Sequence, residues 1–456
     1  MDREPVRACV VTFGCQMNKL DSQLLRGELA RSGFKLVADP DGADVVIYNT
    51  CSVREHAEQR LFSHLGSYRR RAQREPRFIL GVIGCTAQRL GARIRQRFPF
   101  VDLVCGTRAF LAVPGHLERI FDGHGPIVDV DERGGTGQGR SAAVRFDRMP
   151  CMRESQHSAY VSVMRGCDNF CAYCVVPYVR GREASRSPRE IVEEVSALAA
   201  DGVREVTLLG QNVNSYGRTL EEDLDLADLL RMLDGIDGLE RLRFVTSHPR
   251  DMSEEILRAV GELDTVCEHL HVPAQSGSDA VLRRMRRGYT ADRYRMMARR
   301  ARELIPEVAL ASDFIVGFPG ETDADFRRTL ELLREMRFQQ CYLFKYSSRP
   351  GTSAARLPDD VPEEVKRERH RVLLEAQEQV DAERRGAMVG REVEILVDGV
   401  SKGDETKLSG RTRQNDIVAF EGPQELAGQL HRVRIVDFTP LTLFGGSVEV
   451  GAGGGG

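Results

Sequence analysis

The sequence predicts a mixed α/β protein in three parts: an N-terminal open α/β sheet, a central partial (β/α)6 parallel barrel and a small C-terminal all-β barrel. Apolar runs alternate with charged, helix-period segments over residues 1–130 and again over 151–385, as in parallel strands joined by helices. From residue 386 to 450 short alternating strands replace this pattern. At 456 residues the chain is also too long for one ordinary domain.

The N-terminal part resembles repeated strand-then-helix units. Its predicted buried strands are 8–13, 43–48, 78–83 and 101–104, and a charged helix at 20–32 separates the first two. A glycine-rich stretch that begins DERGGTGQGR predicts a linker over 131–150. The glycine-rich end, 451–456, is expected to be a disordered tail.

The central part repeats the alternation six times. Its predicted strands are 159–164, 205–209, 243–246, 269–272, 309–316 and 340–346. Its predicted helices are 188–200, 224–234, 253–263, 279–286 and 323–336, followed by one long charged helix at 363–385. Six units of this kind favour a full or partial parallel barrel, whose chemistry lies at the C-terminal strand ends.

The C-terminal part is predicted to contain four strands, at 392–397, 407–412, 417–421 and 431–438. Small barrels of this size occur in oligonucleotide-binding modules. The net charge of −3 gives no global signal for nucleic acid, so any RNA contact must come from local basic patches. No apolar run approaches a membrane span, so we expect a cytoplasmic protein. Its eleven cysteines are not expected to form disulfides, and the clustered ones are expected to bind metal or do redox chemistry.

Three cysteines share one loop in the order CDNFCAYC. Cys167, Cys171 and Cys174 follow a predicted strand, and we call them the loop trio. Three thiolates with no fourth nearby leave one iron of a four-iron cluster without a protein ligand. The alternative is a structural zinc site, which prefers four ligands. The spacing resembles the radical S-adenosylmethionine (SAM) superfamily, in which the open iron binds SAM and backbone beside the aromatic residue, here Tyr173, meets the adenine.

A second set of cysteines ends three N-terminal strands. Cys15, Cys51 and Cys85, the sheet-edge trio, close the runs VVTFGC, VVIYNTC and LGVIGC. Because parallel strand ends meet at one sheet edge, three thiols far apart in sequence are expected to converge there and hold a second cluster. Cys105 also ends a strand and is either a fourth ligand or a buried thiol.

The remaining cysteines and two histidines are expected to be structural. Cys9, Cys151, Cys267 and Cys341 are isolated from both trios. His269 and His271 alternate on a predicted strand, which favours packing or a polar network over metal ligation.

Long phrases in this sequence resemble the methylthiotransferases. They include GCQMNKLDS at 14–22, RGCDNFCAYCVVPYVRGREASRS at 165–187, DFIVGFPGET at 313–322 and YSSRPGT at 346–352. The resemblance covers nearly the whole chain in the family's order: a methylthiotransferase N-terminal domain, a radical SAM core and a TRAM domain. It implies two [4Fe-4S] clusters, held by the sheet-edge trio and the loop trio. Family members usually lack a cysteine at position 105.

The GCQMN and YSSRPGT phrases favour the branch of the family that modifies tRNA. Its reaction replaces the hydrogen on carbon 2 of a prenylated adenosine beside the anticodon with a methylthio group. One SAM methylates the sulfur, and a second yields a 5′-deoxyadenosyl radical. The partners implied are a prenylated anticodon stem-loop and an electron donor such as flavodoxin or ferredoxin, and we expect a monomer.

Three other functions stay open at this stage. Two are methylthiolation of a ribosomal-protein aspartate and of threonylcarbamoyl-adenosine, by sister branches whose phrases are closer to GCPKN and GCKVN. The third is a non-catalytic iron–sulfur protein that binds RNA and senses iron or oxygen. The absence of SAM cleavage would identify that third function.

Several further residues are candidates for binding SAM. Gln211 follows a strand at the place where the superfamily often holds the SAM amino group. Gln275 and Ser276 either reach the SAM ribose or carboxylate, or only form a turn. Three arginines past the loop trio bind SAM carboxylate or RNA phosphate, unless they are solvated or paired with Glu183. They are Arg180, Arg182 and Arg186.

Two basic regions are candidates for RNA contact. In the C-terminal barrel, basic residues on and between short strands predict a phosphate-binding surface. They are Lys402, Lys407, Arg411 and Arg413. The resemblance to a TRAM domain implies tRNA binding there. The arginine-rich stretch 282–302 is either a solvated helix face or part of the approach of the anticodon stem-loop.

Overall fold

The structure is a computed structural model that describes residues 4–52, 55–131 and 151–447. Within these residues the chain forms an open sheet, a partial barrel and a closed all-β barrel, so the predicted fold class is confirmed. The predicted tail, the last three residues of the predicted 386–450 domain and all of the predicted linker after Asp131 lie outside the described residues.

The N-terminal part is a parallel sheet with helices on both faces. Its described strands are β1 (Arg7–Phe13), β2 (Lys35–Leu36), β3 (Val45–Thr50), β4 (Ile79–Ile83), β5 (Leu103–Cys105) and β6 (Ile127–Asp129), in the order β2-β1-β3-β4-β5-β6. Its helices are α1 (Gln16–Arg31), α2 (Glu55–Ser67), α3 (Arg69–Arg74), α4 (Cys85–Leu90), α5 (Arg93–Arg97) and α6 (Val113–Phe121). The strands β2 and β6, of two and three residues, are too short to give a pattern in the sequence.

The strand order of this sheet fixes where a ligand can bind. Because β1 lies between β2 and β3, the sheet grows in both directions from it. In open α/β sheets ligands bind at the carboxyl ends of the strands beside such a switch point. Apolar side chains of α1 and α6 cover one face of the sheet, and those of α2 and α5 cover the other.

The central part is a partial barrel with a short antiparallel arm. Its strands are β7 (Ser158–Ser162), the arm strands β8 (Met164–Arg165) and β9 (Ala184–Ser185), β10 (Glu205–Leu209), β11 (Arg241–Phe244), β12 (His269–His271), β13 (Ala309–Val316) and β14 (Gln340–Lys345). Strands β7, β10 and β11 form one parallel ladder and β12 to β14 another. A bridge between Leu242 and Val266 joins the two ladders.

Helices surround these strands on the outside. They are α8 (Pro188–Ala200), α9 (Leu226–Leu233), α10 (Glu254–Glu262), α11 (Asp279–Arg284), α12 (Ala291–Leu304), α13 (Asp323–Met336) and α14 (Glu363–Gly386). The short helix α7 (Val176–Arg180) follows the cysteine loop and contacts the N-terminal part instead. Side-chain caps start several of them, including capping boxes at Asp225 and Thr322. The last helix packs on β14 and also reaches the C-terminal barrel, where Arg384 pairs with Asp416 at 2.6 Å.

The C-terminal part is a closed barrel in the order β15-β16-β17-β19-β18. Its described strands are β15 (Glu392–Val400), β16 (Leu408–Thr412), β17 (Ile417–Phe420), β18 (Leu430–Phe438) and β19 (Leu443–Ser447). The sequence predicts the first four but not β19, whose LFGGS run lacks alternation. None of the helices in the described part of the chain is long and apolar enough to cross a lipid bilayer.

Two buried arginines of β11 fasten this barrel to the central part. Arg241 donates to the carbonyl oxygen of Arg411, and Arg243 donates to that of Thr412 at 2.7 Å. In the opposite direction, Arg413 of the C-terminal barrel donates hydrogen bonds to the Glu268 carboxylate at 2.8 to 3.1 Å. The turn after β16 is therefore a docking element between the two parts.

Candidate active site

The arm β8–β9 holds the loop that carries the loop trio. The amide of Cys167 donates to the carbonyl oxygen of Gly181 at 3.1 Å and so closes the base of the loop. Gly166, just before it, has a φ of +76°, and a Cβ there would lie 1.9 Å from the Arg182 carbonyl oxygen. Only glycine fits this approach, which explains the Arg-Gly-Cys order of the sequence.

The three sulfurs of the loop trio lie in a buried environment with donors directed at them. The Val176 amide donates to Cys174 Sγ at 3.4 Å, and Arg287 Nη1 donates to Cys171 Sγ at 3.2 Å. Burial raises the pKa of Cys167 to about 12. Thiols in such a place ionise when a metal takes the proton's place.

The distances between the cysteine sulfurs distinguish an iron–sulfur cluster site from a site for a single zinc ion. With Zn–S bonds of about 2.3 Å, the thiolates around one zinc lie within about 4 Å of one another. Among the described residues, one group of three potential ligand atoms has all its atoms within 4.8 Å of one another. That group is Cys105, His116 and Asp129, so it is neither trio. In neither trio do all three sulfurs lie that close together, so neither trio has the arrangement of a preformed single-zinc site in this structure.

The sequence does not predict a role for Arg287 at the loop trio. In the structure it is the main polar side chain from another element that contacts these cysteines. Its guanidinium also donates to the Pro273 carbonyl oxygen at 3.0 Å and to the Tyr289 hydroxyl at 3.2 Å. In the sequence it lies inside the arginine-rich stretch 282–302, where nothing distinguishes it from its neighbours. Other arginines of that stretch form ion pairs, such as Arg295 with Glu335 and Arg300 with Glu254, as expected for a solvated helix face.

The predicted SAM residues lie at the C-terminal ends of the barrel strands. Tyr173 is half-buried, and the backbone of Ala172 beside it is fixed by hydrogen bonds to Met285 and Ala354. Gln211 accepts a hydrogen bond from the Gly166 amide and so ties β10 to the cysteine loop. Ser276 is 3.1 Å from the Thr329 hydroxyl and forms part of a turn.

Gln275 differs from Ser276 in having an unused buried acceptor. Gln275 has a φ of +66° and is 7% exposed, and its Oε1 has no hydrogen-bond partner among the described residues. The same holds for Asn212 Oδ1, Ser247 Oγ and His248 Nε2, at the ends of β10 and β11. Such orphan groups are expected where a polar ligand binds. The Asn212, Ser247 and His248 groups were not predicted; the polar run after each strand was their only signal.

The sheet-edge trio converges as the strand ends predict. Cys15 follows β1, Cys51 follows the neighbouring β3, and Cys85 begins α4 after β4. A hydrogen bond with Cys51 lowers the pKa of Cys15 to about 6. Gly84, the residue before Cys85, lies so close to the Asn49 side chain that only glycine fits. A Cβ on Gly84 would lie 2.3 Å from Asn49 Oδ1.

A buried ion pair lies between the two trios. Arg180, at the end of α7, donates to Asp21 of α1 at 2.8 Å, and both side chains are 4% exposed. Arg165 Nη2 lies 3.6 Å from the other oxygen of Asp21. Burial raises the pKa of Cys85, and the nearby Arg180 guanidinium opposes this rise. Because Cys85 packs against Val175 and Val179, a single short helix separates the trios.

The other two arginines after the loop are engaged in pairs. Arg182 forms two hydrogen bonds with Asp168, at 2.6 and 2.9 Å, and Arg186 pairs with Glu194 at 2.7 Å. Both arginines are thus paired with carboxylates, but the predicted partner Glu183 is wrong: their partners are Asp168 and Glu194.

The side chain of Cys105 lies near polar residues that do not belong to either trio. Its sulfur shares a small polar pocket with His116 and Asp129, which are 2.8 Å from each other. Of the other cysteines, Cys9 and Cys267 are 2% and 1% exposed. His271 contacts Asp313 at 2.9 Å, a polar-network position.

The basic residues predicted to bind RNA differ in their surroundings. Lys402 is exposed, Lys407 lies over the Phe444 ring, and Arg411 bonds Asn415 at 3.0 Å. Arg413 lies in the docking turn, where its guanidinium is hydrogen-bonded to the Glu268 carboxylate. The RNA role of these residues stays a prediction.

Comparison with known proteins agrees with these features part by part. Residues 161–333 match the radical SAM superfamily, residues 386–448 match the TRAM domain, and residues 7–106 match a group described as Uncharacterized protein family UPF0004. A [4Fe-4S] cluster and SAM belong to the radical SAM superfamily, and the loop trio has the donor set for that cluster. The predicted three-part organisation is confirmed.

Solved structures share the fold. The radical SAM methyltransferase TsrM from Kitasatospora setae, solved with cobalamin and a [4Fe-4S] cluster, matches with a TM-score of 0.55 and 17% identity over 77% of each chain. The cobalamin-dependent SAM radical enzyme OxsB matches with a TM-score of 0.51 and 13% identity, over 83% of this chain and 56% of that one.

Relatives of known name match over nearly their full length. A tRNA-2-methylthio-N(6)-dimethylallyladenosine synthase from Thermoanaerobacter pseudethanolicus is 43% identical over 97% of this chain and 92% of its own. The synthase from Clostridium novyi is 43% identical over 96% of both chains. With the loop trio, the sheet-edge trio and the C-terminal barrel in the same chain, this protein belongs to the tRNA-2-methylthio-N(6)-dimethylallyladenosine synthase family.

Proposed function

We propose that this protein is a radical SAM methylthiotransferase that acts on N(6)-dimethylallyladenosine next to the tRNA anticodon. It replaces the hydrogen on carbon 2 with a methylthio group and consumes two SAM. One SAM methylates the sulfur, and the other yields a 5′-deoxyadenosyl radical. Two clusters take part, one at the loop trio and one at the sheet-edge trio.

The observation that carries this proposal is the juxtaposition of the two trios. They come from different parts of the chain, yet Cys85 packs against Val175, the residue after Cys174. Arg180, six residues after Cys174, pairs with Asp21, six residues after Cys15. An enzyme that makes a radical and delivers sulfur to the same carbon needs both functions within reach of one substrate atom.

The chemistry explains why two sites are needed. The C2–H bond of adenine is not acidic, so a positioned base alone cannot remove the proton. What a [4Fe-4S] cluster supplies at the loop trio is one electron to SAM, which yields a carbon radical able to take the hydrogen atom. The three cysteines of the sheet-edge trio leave a ligand position open for sulfur.

The protein's own residues orient SAM and keep water away. Backbone beside Tyr173 is fixed on both sides for contact with adenine. The unused polar atoms of Asn212, Ser247 and Gln275 form a polar rim at the barrel strand ends and suit the amino, carboxylate and ribose groups of SAM. Arg287, which is itself buried, donates a hydrogen bond to Cys171 Sγ and so positions that sulfur.

The relatives and the C-terminal barrel support the substrate branch and the RNA partner. The relatives at 43% identity carry the name of the synthase for prenylated tRNA adenosine. The TRAM match at 386–448 supports a role for the barrel in RNA binding. A small electron-transfer protein such as flavodoxin or ferredoxin supplies the electron.

The test is an anaerobic reaction of the reconstituted protein with SAM, dithionite and a synthetic anticodon stem-loop, with and without the prenyl group. We expect 5′-deoxyadenosine together with the methylthio nucleoside, from prenylated RNA only. SAM cleavage without any methylthio nucleoside would reject this substrate. Absence of both products from a protein with a full iron content would reject the enzymatic function.

A further inference from the structure

A basic groove lies between the N-terminal sheet and the central barrel. It has a volume of about 410 Å³ and is bounded by α2, α4 and α5 on one side and by residues 347–350 on the other. Residues 347–350 belong to the YSSRPGT run that follows β14. The side chains that matter for its chemistry are Glu58, Phe62, Arg89, Arg93, Arg97 and Arg349.

The groove adjoins both cysteine trios. Helix α4 begins at Cys85, and Arg89 is one turn further along it, 3.4 Å from Ser52 Oγ next to Cys51. On the other side, the run leaves the barrel after Tyr346, which packs with Ala172 of the cysteine loop in one apolar cluster. One end of the groove, at Arg89 and residue 347, therefore lies close to the segments that carry the two trios.

The groove carries an excess of positive charge. Four arginines line it against the one carboxylate of Glu58, which pairs with Arg89. Arg93 and Arg97 are exposed, and neither forms an ion pair with any carboxylate in the described part of the chain.

Arg97 is also held in place by aromatic rings. Its guanidinium carbon lies 4.5 Å from the centre of the Phe62 ring and 5.4 Å from that of Phe98. Stacking on a ring orients the guanidinium while leaving its N–H groups available, which suits two-point binding of a phosphate. Phe62 itself packs against the Phe98 ring at 5.8 Å, so the guanidinium of Arg97 rests on a fixed aromatic pair.

We propose that the basic groove binds the sugar-phosphate backbone of the RNA substrate at the nucleotides flanking the target adenosine. This inference rests on the proposed function and adds a binding surface outside the C-terminal barrel. An acidic electron-transfer protein is the competing partner for such a surface. The concave shape, the unpaired charges of Arg93 and Arg97 and the fixed orientation of the Arg97 guanidinium favour the phosphates of single-stranded RNA.

The test compares two double variants. Arg93→Gln with Arg97→Gln removes the two unpaired charges of the groove. The matched control, Arg31→Gln with Arg119→Gln, removes two charges from the C-terminal ends of α1 and α6 on the opposite face of the same sheet. Each reconstituted protein is titrated with a fluorescent prenylated anticodon stem-loop at several salt concentrations, and with the same RNA lacking the prenyl group.

We expect the groove variant to bind both RNAs about tenfold more weakly, with a salt dependence reduced by one to two phosphate contacts. The loss is equal for the two RNAs because phosphate contacts do not read the base. The control variant keeps wild-type affinity. Unchanged affinity and salt dependence of the groove variant would overturn the proposal.

Two further measurements separate the alternatives. Dithionite-driven SAM cleavage without RNA reports whether the groove variant is folded and loaded, and we expect it to equal that of the wild type. Normal RNA binding with a loss confined to flavodoxin-driven SAM cleavage would assign the groove to the electron donor and reject the RNA proposal. If the wild type binds the RNA through the groove but forms no methylthio nucleoside, the proposed function fails while the groove assignment stands.

Discussion

Arg180 donates a hydrogen bond to Asp21 at 2.8 Å across the boundary between the central barrel and the N-terminal sheet, and both side chains are almost fully buried. These two residues are 159 positions apart in the chain. The contact places a positive charge beside the sheet-edge trio and joins the elements that carry the two trios. Its loss is expected to affect stability first.

Replacing Arg180 with glutamine should lower the free energy of unfolding by about 3 kcal/mol, because it leaves Asp21 buried without its main counter-charge. Anaerobic urea denaturation measures the effect. The double variant Asp21→Asn with Arg180→Gln should recover part of the loss, since no buried charge is then unpaired. The exposed Arg189 is the control, and Arg189→Gln should not move the midpoint. A midpoint of Arg180→Gln equal to that of this control would contradict the burial of the pair.

The two trios should have separable functions. Cys15→Ala should reduce the iron content by about half and abolish formation of the methylthio nucleoside, while SAM cleavage to 5′-deoxyadenosine continues. Cys105→Ala is the matched control, because Cys105 is also a buried strand-end cysteine and lies with His116 and Asp129 rather than with the trio. Iron analysis and chromatography of the products provide the measurement. Loss of SAM cleavage in Cys15→Ala would argue against separate functions.

Arg287 should tune the cluster that the loop trio holds. Hydrogen bonds to the sulfurs of a cluster raise its reduction potential, so Arg287→Met should make the potential more negative and slow SAM cleavage about tenfold or more. Arg287→Lys, which keeps the charge, should give an intermediate potential. The measurement is a potentiometric EPR titration in a background lacking the sheet-edge trio.

The control for this titration is Arg286→Met, since Arg286 is the exposed neighbour of Arg287. Its potential should equal that of the background protein. Equal potentials for Arg287→Met and Arg286→Met would show that the 3.2 Å contact with Cys171 Sγ has no electronic effect.

Gln275 should contribute to SAM affinity through its unused side-chain oxygen. Gln275→Asn withdraws the acceptor by one methylene, while asparagine tolerates the left-handed backbone at φ +66°. We expect SAM to bind about tenfold more weakly, the value of one lost hydrogen bond in a buried site. Ser276→Ala is the control, because Ser276 already contacts Thr329. Equilibrium dialysis with SAM measures both, and equal affinities would assign Gln275 a turn-forming role only.

The sequence predicts those parts of the fold that produce a repeating pattern. The parallel strands β1, β3, β4 and β5 and the six barrel strands were predicted because strand-like runs alternate with helical segments, although β14 is largely exposed and β11 contains two arginines. The strands β2, β6 and β19 were not predicted, because β2 and β6 are short strands at the two edges of the sheet and β19 contains two glycines. Their positions depend on neighbours that only the folded sheet supplies.

The candidate active site likewise has residues that the sequence predicts and residues that it does not. Both cysteine trios could be predicted, because the loop trio is local and the sheet-edge trio follows from the common edge of parallel strands. Arg287 and Asp21 could not, since their partners are 116 and 159 residues away in the chain. No local pattern encodes contacts of that kind. Arg413 is the converse case: its charge predicts RNA contact, yet its guanidinium is bonded to Glu268.

His269, buried on β12, should make stability depend on pH. Burial, and then the Arg243 charge, lower the pKa of His269 well below its ordinary value. The unfolded chain therefore binds a proton below about pH 6.5 that the folded chain does not bind, and stability falls as the pH drops through that value. Between pH 7.5 and 5.5 this group accounts for about 1 kcal/mol of lost stability. In His269→Asn and His269→Gln the difference in unfolding free energy between these pH values should shrink by that amount, whatever their absolute stability. Anaerobic urea denaturation at the two pH values measures it, and an undiminished difference in both variants would show that His269 titrates normally in the fold.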